Sequence, residues 1–183
     1  MKHLLLALAL LTATAAHAGP TTLVGDQIDA AMIRTIDTGY GLGRIFGYGL
    51  DAPFVVQDGN ADQHQYSSAF KLDVDGNKFS IRFLQLAGWQ DGIVLRLSDL
   101  DFSPIGSVLS SVSVNTNLAG YTLTTGADWI DLGLGGTHFT ANTYFIGTFD
   151  VSSVPEPTPL ALVSLGLLYV SALRKRARNP DTR

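Results

Sequence analysis

Alternation of apolar and polar residues with a period of two constrains the fold of this 183-residue chain more than any other feature. It is clearest in residues 66–74 and 79–83, which flank the sequence Asp75-Gly76-Asn77. Successive side chains of a β-strand point to opposite faces, and Asp, Gly and Asn favour turns, so these segments predict an antiparallel hairpin. Its buried face is predicted to carry Phe70, Leu72, Val74, Phe79, Ile81 and Phe83.

The same alternation recurs along the middle of the chain. It predicts further strands at residues 92–97, 111–114, 129–134 and 144–151. Residues 28–36 are ambiguous, because their apolar spacing suits a helix or an edge strand, and a strand is favoured. With 19 glycines and few helix formers, the sequence predicts an all-β fold over residues 19–153, an antiparallel β-sandwich of jelly-roll type.

The first 18 residues have the three parts of a secretory signal peptide. Lys2 provides a basic start, residues 4–11 are apolar, and Ala16-His17-Ala18 has the small-x-small pattern of a cleavage site. The apolar run is too short to cross about 30 Å of hydrocarbon as a helix. The sequence therefore predicts export through the Sec translocon, with signal peptidase cutting between Ala18 and Gly19.

Residues 154–183 form a second three-part signal. Val154-Pro155-Glu156-Pro157 is followed by an uncharged apolar stretch, residues 160–173, and then by a basic cluster of Arg174, Lys175, Arg176 and Arg178. Prolines hold the chain extended, which suits a protease substrate. The basic cluster is expected to stay cytoplasmic, which leaves the domain on the far side of the membrane. As a helix the apolar stretch measures about 21 Å, so it predicts a single but marginal membrane anchor.

With these residues in view, the tail resembles a PEP-CTERM sorting signal of Gram-negative bacteria. The resemblance covers Val154 to Arg178 and rests on Pro155, Glu156 and Pro157, on Gly166 within the apolar stretch, and on the basic stop. It implies recognition by a membrane cysteine protease of the exosortase type. It also implies transfer from the inner membrane to the cell surface or matrix, and association with exopolysaccharide or biofilm. An ordinary membrane anchor with a proline-rich linker is the alternative.

Charge and composition exclude several functions. Residues 19–154 carry fourteen Asp, no Glu and six Lys or Arg, which leaves a net charge of −8. Such a domain repels polyanions, so no nucleic-acid partner is predicted. The chain has no cysteine, which excludes disulfides, thiolate metal sites and a cysteine nucleophile.

Two aspartate-rich segments, residues 58–62 and 73–77, resemble the start of a calcium loop. Neither completes an EF-hand pattern, because the sixth and twelfth positions hold Lys78 and Leu84 in one case and Gln63 and Ala69 in the other. Turns are the favoured interpretation, although calcium bridging several loops stays open. No metal or other cofactor is predicted.

No catalytic residue is predicted either. His64 or His138 could be combined with serines and aspartates into a triad, but no motif supports that set. The sequence therefore favours a non-enzymatic protein.

Aromatic residues offer a second hypothesis, that of a carbohydrate-binding module delivered by the same route. Trp89 and Trp129 are the first candidates for stacking on sugar rings, and Tyr121 and Tyr144 are further ones. Asp91 and Asn142 could supply polar contacts. Core packing is the favoured interpretation of these rings.

Overall fold

The computed structural model describes residues 21–59 and 61–153, and this part of the chain is all-β, with antiparallel sheets and no helix. None of its elements can therefore cross a membrane as a helix. The predicted signal peptide, the cleavage residues Ala16, Ala18 and Gly19, the sorting motif and the basic stop lie outside the described residues. The strands are β1 (Gln27–Arg34), β2 (Gly43–Arg44), β3 (Phe54–Val55), β4 (His64–Tyr66), β5 (Phe70–Asp75), β6 (Lys78–Phe83), β7 (Ala87–Gly88), β8 (Ile93–Ser98), β9 (Ser107–Thr116), β10 (Thr122–Thr125), β11 (Ile130–Gly133), β12 (His138–Phe139) and β13 (Tyr144–Ser153).

The first sheet has six strands in the order β10-β11-β8-β1-β2, with β3 also paired to β1. Residues 28–36, for which a strand was favoured over a helix, supply most of β1, which lies between β8 and β2 in this sheet. The β8 strand alternates as predicted, with Ile93, Leu95 and Leu97 buried and Arg96 exposed. A bidentate pair from Arg44 to Asp29, with both distances 2.8 Å, fastens β2 to β1.

The second sheet has five strands in the order β4-β5-β6-β13-β9. The predicted hairpin is confirmed: β5 and β6 pair from Phe70↔Phe83 to Asp75↔Lys78, and Gly76 and Asn77 form the turn. The chain enters β13 only at its end, yet β13 lies between β6 and β9. Two further short strands, β7 and β12, pair with each other.

One hydrophobic core serves both sheets. The inward side chains of β5 and β6, all six predicted from the alternation, are at most 1% exposed and join those of β1, β8, β11 and β13. Aromatic rings fill much of this core, including the stacked pair Phe79 and Phe145 at 5.8 Å between centroids. Two antiparallel sheets that share a core are consistent with the predicted sandwich.

Residues 66–74 were predicted as one strand, and this is wrong. The strand breaks after Tyr66, because Ser67 has a φ of +51° and the amide of Ala69 bonds back to the carbonyl of Tyr66 at 3.1 Å. The segment therefore forms the end of β4, a turn and β5. Residues 111–114 and 144–151 lie within the longer strands β9 and β13, which pair along most of their length.

Candidate functional site

The outer face of the five-stranded sheet carries polar side chains in rows that cross the strands. Lys71 of β5, Arg82 of β6 and Tyr144 of β13 are direct cross-strand partners and form the first row. Asp73, Ser80 and Ile146 form the second row, and Asp75, Lys78 and Thr148 form the third. These side chains face outward, because their neighbours along each strand are in the core.

Two depressions on this face share Ser80 and Ile146, and we call them together the sheet groove. One, of about 370 Å³, is lined by Arg82, Asn142 and Tyr144 among others. The other, of about 530 Å³, is lined by Asp58, Asp73, Asp75 and Lys78 among others. The groove therefore has one end with a cation, an amide and an aromatic ring, and a second end rich in carboxylates.

Hydrogen bonds fix the position of Tyr144 at the first end. Its hydroxyl lies 3.2 Å from Asn115 Oδ1, and its backbone nitrogen donates to Asn117 Oδ1 at 2.9 Å. Its carbonyl accepts from Thr116 Oγ1. The residue is 38% exposed, so a fixed aromatic ring stays open to solvent beside Arg82 and Asn142.

The acidic end brings together the two aspartate-rich segments noted in the sequence. The backbone nitrogen of Gly59 donates to Asp75 Oδ1 at 2.8 Å, which fastens the 58–62 loop to the hairpin. Asp73 Oδ1 is buried and has no hydrogen-bond partner. Burial raises the pKa of Asp73, and the charges of Asp75 and Asp62 raise it further. Across residues 21–59 and 61–153, no group of three or more His, Asp or Glu side chains is arranged to hold a metal ion.

The groove is thus a polar, partly aromatic surface with opposite charges at its two ends. Comparisons with protein-family models, curated proteins and solved structures find no match.

Trp89, the first aromatic candidate from the sequence, is largely used in packing. Its ring lies within 5.7 Å of the centroids of Tyr66 and Phe139 and within 6.2 Å of Phe70. Its Nε1 is buried and makes no hydrogen bond. This residue lies apart from the sheet groove and presents little free ring surface.

Trp129 and Tyr121 are also engaged with other side chains. The guanidinium of Arg96 lies 5.5 Å from the Trp129 ring and forms a bidentate pair with Asp131, both distances being 2.6 Å. That pair raises the pKa of Arg96. Tyr121 packs edge-on against the core residue Phe145 at 5.1 Å. Of the four rings named from the sequence, the groove contains Tyr144, beside the predicted polar contact Asn142.

A second exposed surface was missed from the sequence. Residues 36–49 alternate glycines with large apolar side chains, and Tyr40, Leu42 and Phe46 are between 65% and 72% exposed. The Asp37 carboxylate orders this loop by accepting hydrogen bonds from the backbone of Gly39 and Gly41, which lower its pKa. The sequence signal that could have revealed this loop is its closely spaced glycines, Gly39, Gly41, Gly43, Gly47 and Gly49. All five have a positive φ in the structure.

The two histidines of the domain are not arranged as a catalytic pair. The His64 ring packs at a tilt against Phe54, with 4.0 Å between the ring centroids, and burial lowers the pKa of His64. His138 pairs with Gly88 in the short β7–β12 sheet. In the described part of the chain, no hydrogen bond joins either imidazole to a serine or an aspartate.

Proposed function

We propose that this protein is an exported, non-enzymatic surface or matrix protein that is sorted through its C-terminal tail by an exosortase-type protease. The observation that carries the proposal is the order of proline-flanked Glu156, apolar stretch and basic cluster. Chance rarely places these three parts in that order behind an N-terminal secretion signal. Sec and signal peptidase act first, the tail then holds the protein in the inner membrane with its domain in the periplasm, and cleavage follows.

The position of the last strand supports this order of events. β13 ends at Ser153, and the boundary between the two compact units of the chain falls between Ser153 and Val154. Cutting near Glu156 would therefore remove no residue of a described strand. A domain released to the cell surface or matrix would keep its whole core.

The finer fold class belongs to the same proposal. The chain changes between the two large sheets after β3, after β6, after β8, after β9 and after β11, and such exchanges are typical of a jelly roll. The consecutive neighbours β4, β5 and β6 form a meander, which departs from that topology. We propose a jelly-roll-like sandwich, because the chain passes repeatedly from one large sheet to the other.

The test of sorting is pulse labelling in a host that contains the sorting enzyme. Replacing Pro155, Glu156 and Pro157 with alanine lets the apolar helix extend outward, so uncut precursor is expected to accumulate in the inner membrane. Neutralising the basic cluster 174–178 is expected to let unprocessed protein pass into the periplasm instead. Normal maturation of the alanine variant would show that the tail is only an anchor.

A carbohydrate-binding module is the second candidate function. It is favoured by the exposed Tyr144 beside Asn142 and Arg82 in the sheet groove. A glycan array probed with the full-length protein in detergent separates the two candidates, because a purely structural matrix protein is expected to retain no glycan.

A further inference from the structure

The first row on the outer face contains two cations that form no ion pair, Arg82 in the lining of the sheet groove and Lys71 on the strand beside it. Lys71 and Arg82 are direct cross-strand partners on the outer face. Within residues 21–59 and 61–153, the ion pairs involve Arg44, Lys78 and Arg96, and neither Lys71 nor Arg82 takes part in one. Like charges directly opposite each other on paired strands destabilise a sheet. An unpaired cationic row in a domain of net charge −8 therefore indicates a place for an external anion.

The neighbours of this row limit the anion to a small group on a larger ligand. Asp73, Asp75 and Asp58 line the other end of the groove and would repel a continuous polyanion such as a nucleic acid. The Asp73 carboxylate lines this end of the groove and is an acceptor, so it suits a neutral donor such as a hydroxyl. The open Tyr144 ring offers an apolar face on which a sugar ring can stack.

We propose that the sheet groove binds a glycan containing uronic acid. The sugar carboxylate lies between Arg82 and Lys71, one sugar ring stacks on Tyr144, and hydroxyl groups donate to Asp73 and accept from the Asn142 amide. Arginine suits this role because its planar guanidinium can bind a carboxylate through two hydrogen bonds. The assignment concerns the domain alone, so it stands or fails independently of sorting by the tail.

The test is isothermal titration calorimetry on the full-length chain in detergent micelles. The probes are oligogalacturonate, an alginate oligomer and a hyaluronan hexasaccharide, each paired with its neutral methyl ester. At least one acid form is expected to bind, and its methyl ester is expected to bind about tenfold or more weakly, because a charge-assisted hydrogen bond is lost. No binding by any acid form, or equal binding by an ester, overturns the proposal.

Variants distinguish this groove from the rest of the surface. Arg82→Gln and Tyr144→Ala are each expected to weaken binding about tenfold or more. Arg96→Gln is the matched control, since it removes an exposed arginine that already pairs with Asp131, and it is expected to leave affinity unchanged. Unchanged affinity in Arg82→Gln, or full competition by sulfate at the same anion concentration, overturns the proposal.

A stability measurement separates loss of the site from loss of the fold. Without ligand, Arg82→Gln relieves the repulsion with Lys71 and is expected to leave the melting temperature unchanged or raise it. Tyr144→Phe keeps the ring, removes only the contact with Asn115 Oδ1, and is expected to keep most of the affinity. A lower melting temperature in Arg82→Gln would assign it a structural role and contradict the proposal.

Discussion

Gly92 precedes β8 and has a backbone conformation that other residues rarely adopt. Its φ is +76°, and an added Cβ would lie 2.7 Å from both the backbone nitrogen and the Cβ of Ile36. Backbone strain and overpacking act together there, so Gly92→Ala is expected to lower the free energy of unfolding by about 2–3 kcal/mol in urea denaturation.

Gly25 provides the control for this prediction. Its φ is +88°, but nothing lies within 4 Å of an added Cβ. Only the conformational cost remains, and Gly25→Ala is expected to cost about 1 kcal/mol. Equal losses in the two variants would show that close approach to Ile36 is unimportant.

Asp73 is expected to make stability depend on pH in the direction opposite to most carboxylates. Its pKa is raised in the folded state, so folding disfavours the charged form, and this cost is present at neutral pH. As the pH falls through the folded pKa and then below the ordinary value, the cost disappears. Asp73→Asn is therefore expected to be more stable than the wild type at pH 7 and equal to it in strong acid.

Thermal melts across that pH range measure the difference between the two proteins. Asp128→Asn is the matched control, because Asp128 is exposed and away from the groove. It is expected to change the melting temperature little at any pH. A loss of stability in Asp73→Asn at pH 7 would mean that the half-buried Asp73 carboxylate has a partner in solution.

At the level of elements, β1 is the strand on which the first sheet depends, because it pairs with β2, β3 and β8. Arg44 connects β2 and the following loop to it, through both oxygens of Asp29 and through the carbonyl of Leu50 at 2.9 Å. Lysine cannot reproduce this forked set of bonds. Arg44→Lys is expected to lower the free energy of unfolding by about 1.5–3 kcal/mol.

The comparison is with Arg96→Lys. Arg96 also makes a bidentate pair, but its side chain is 44% exposed against 25% for Arg44. Water competes more strongly there, so the expected loss is at most about 1 kcal/mol. Urea denaturation of both variants decides whether burial of the pair controls its contribution.

On the scale of the whole molecule, the first prediction concerns the exported form. The small-x-small pattern at residues 16–18 predicts that the mature chain begins at Gly19. N-terminal sequencing of exported protein is the measurement. Retention of Met1 or Lys2 would contradict the signal peptide, and with it the first step of the proposed route.

Adjacent residues were enough to predict much of the local structure, and they also predict the two terminal signals, which lie outside the described residues. Alternation and turn residues identified the β5–β6 hairpin and its six buried side chains, because successive residues of a strand point to opposite faces and the pattern is therefore local. Short strands such as β2, β3, β7 and β12 were missed, since two residues carry no period. The break at Ser67 was missed as well, because a serine in a sequence does not indicate a positive φ.

Which candidate residues come together depends on strand pairing between distant parts of the chain. Asn142 and Tyr144 lie close together in the sequence, whereas Arg82 belongs to a distant part of the chain, and the non-local pairing of β13 with β6 brings Arg82 to them. Trp89 and Trp129 looked equally suitable in the sequence, but packing occupies the first and Arg96 covers the second. Sequence spacing cannot show this, because the order of strands in a sheet is set by burial of one shared core.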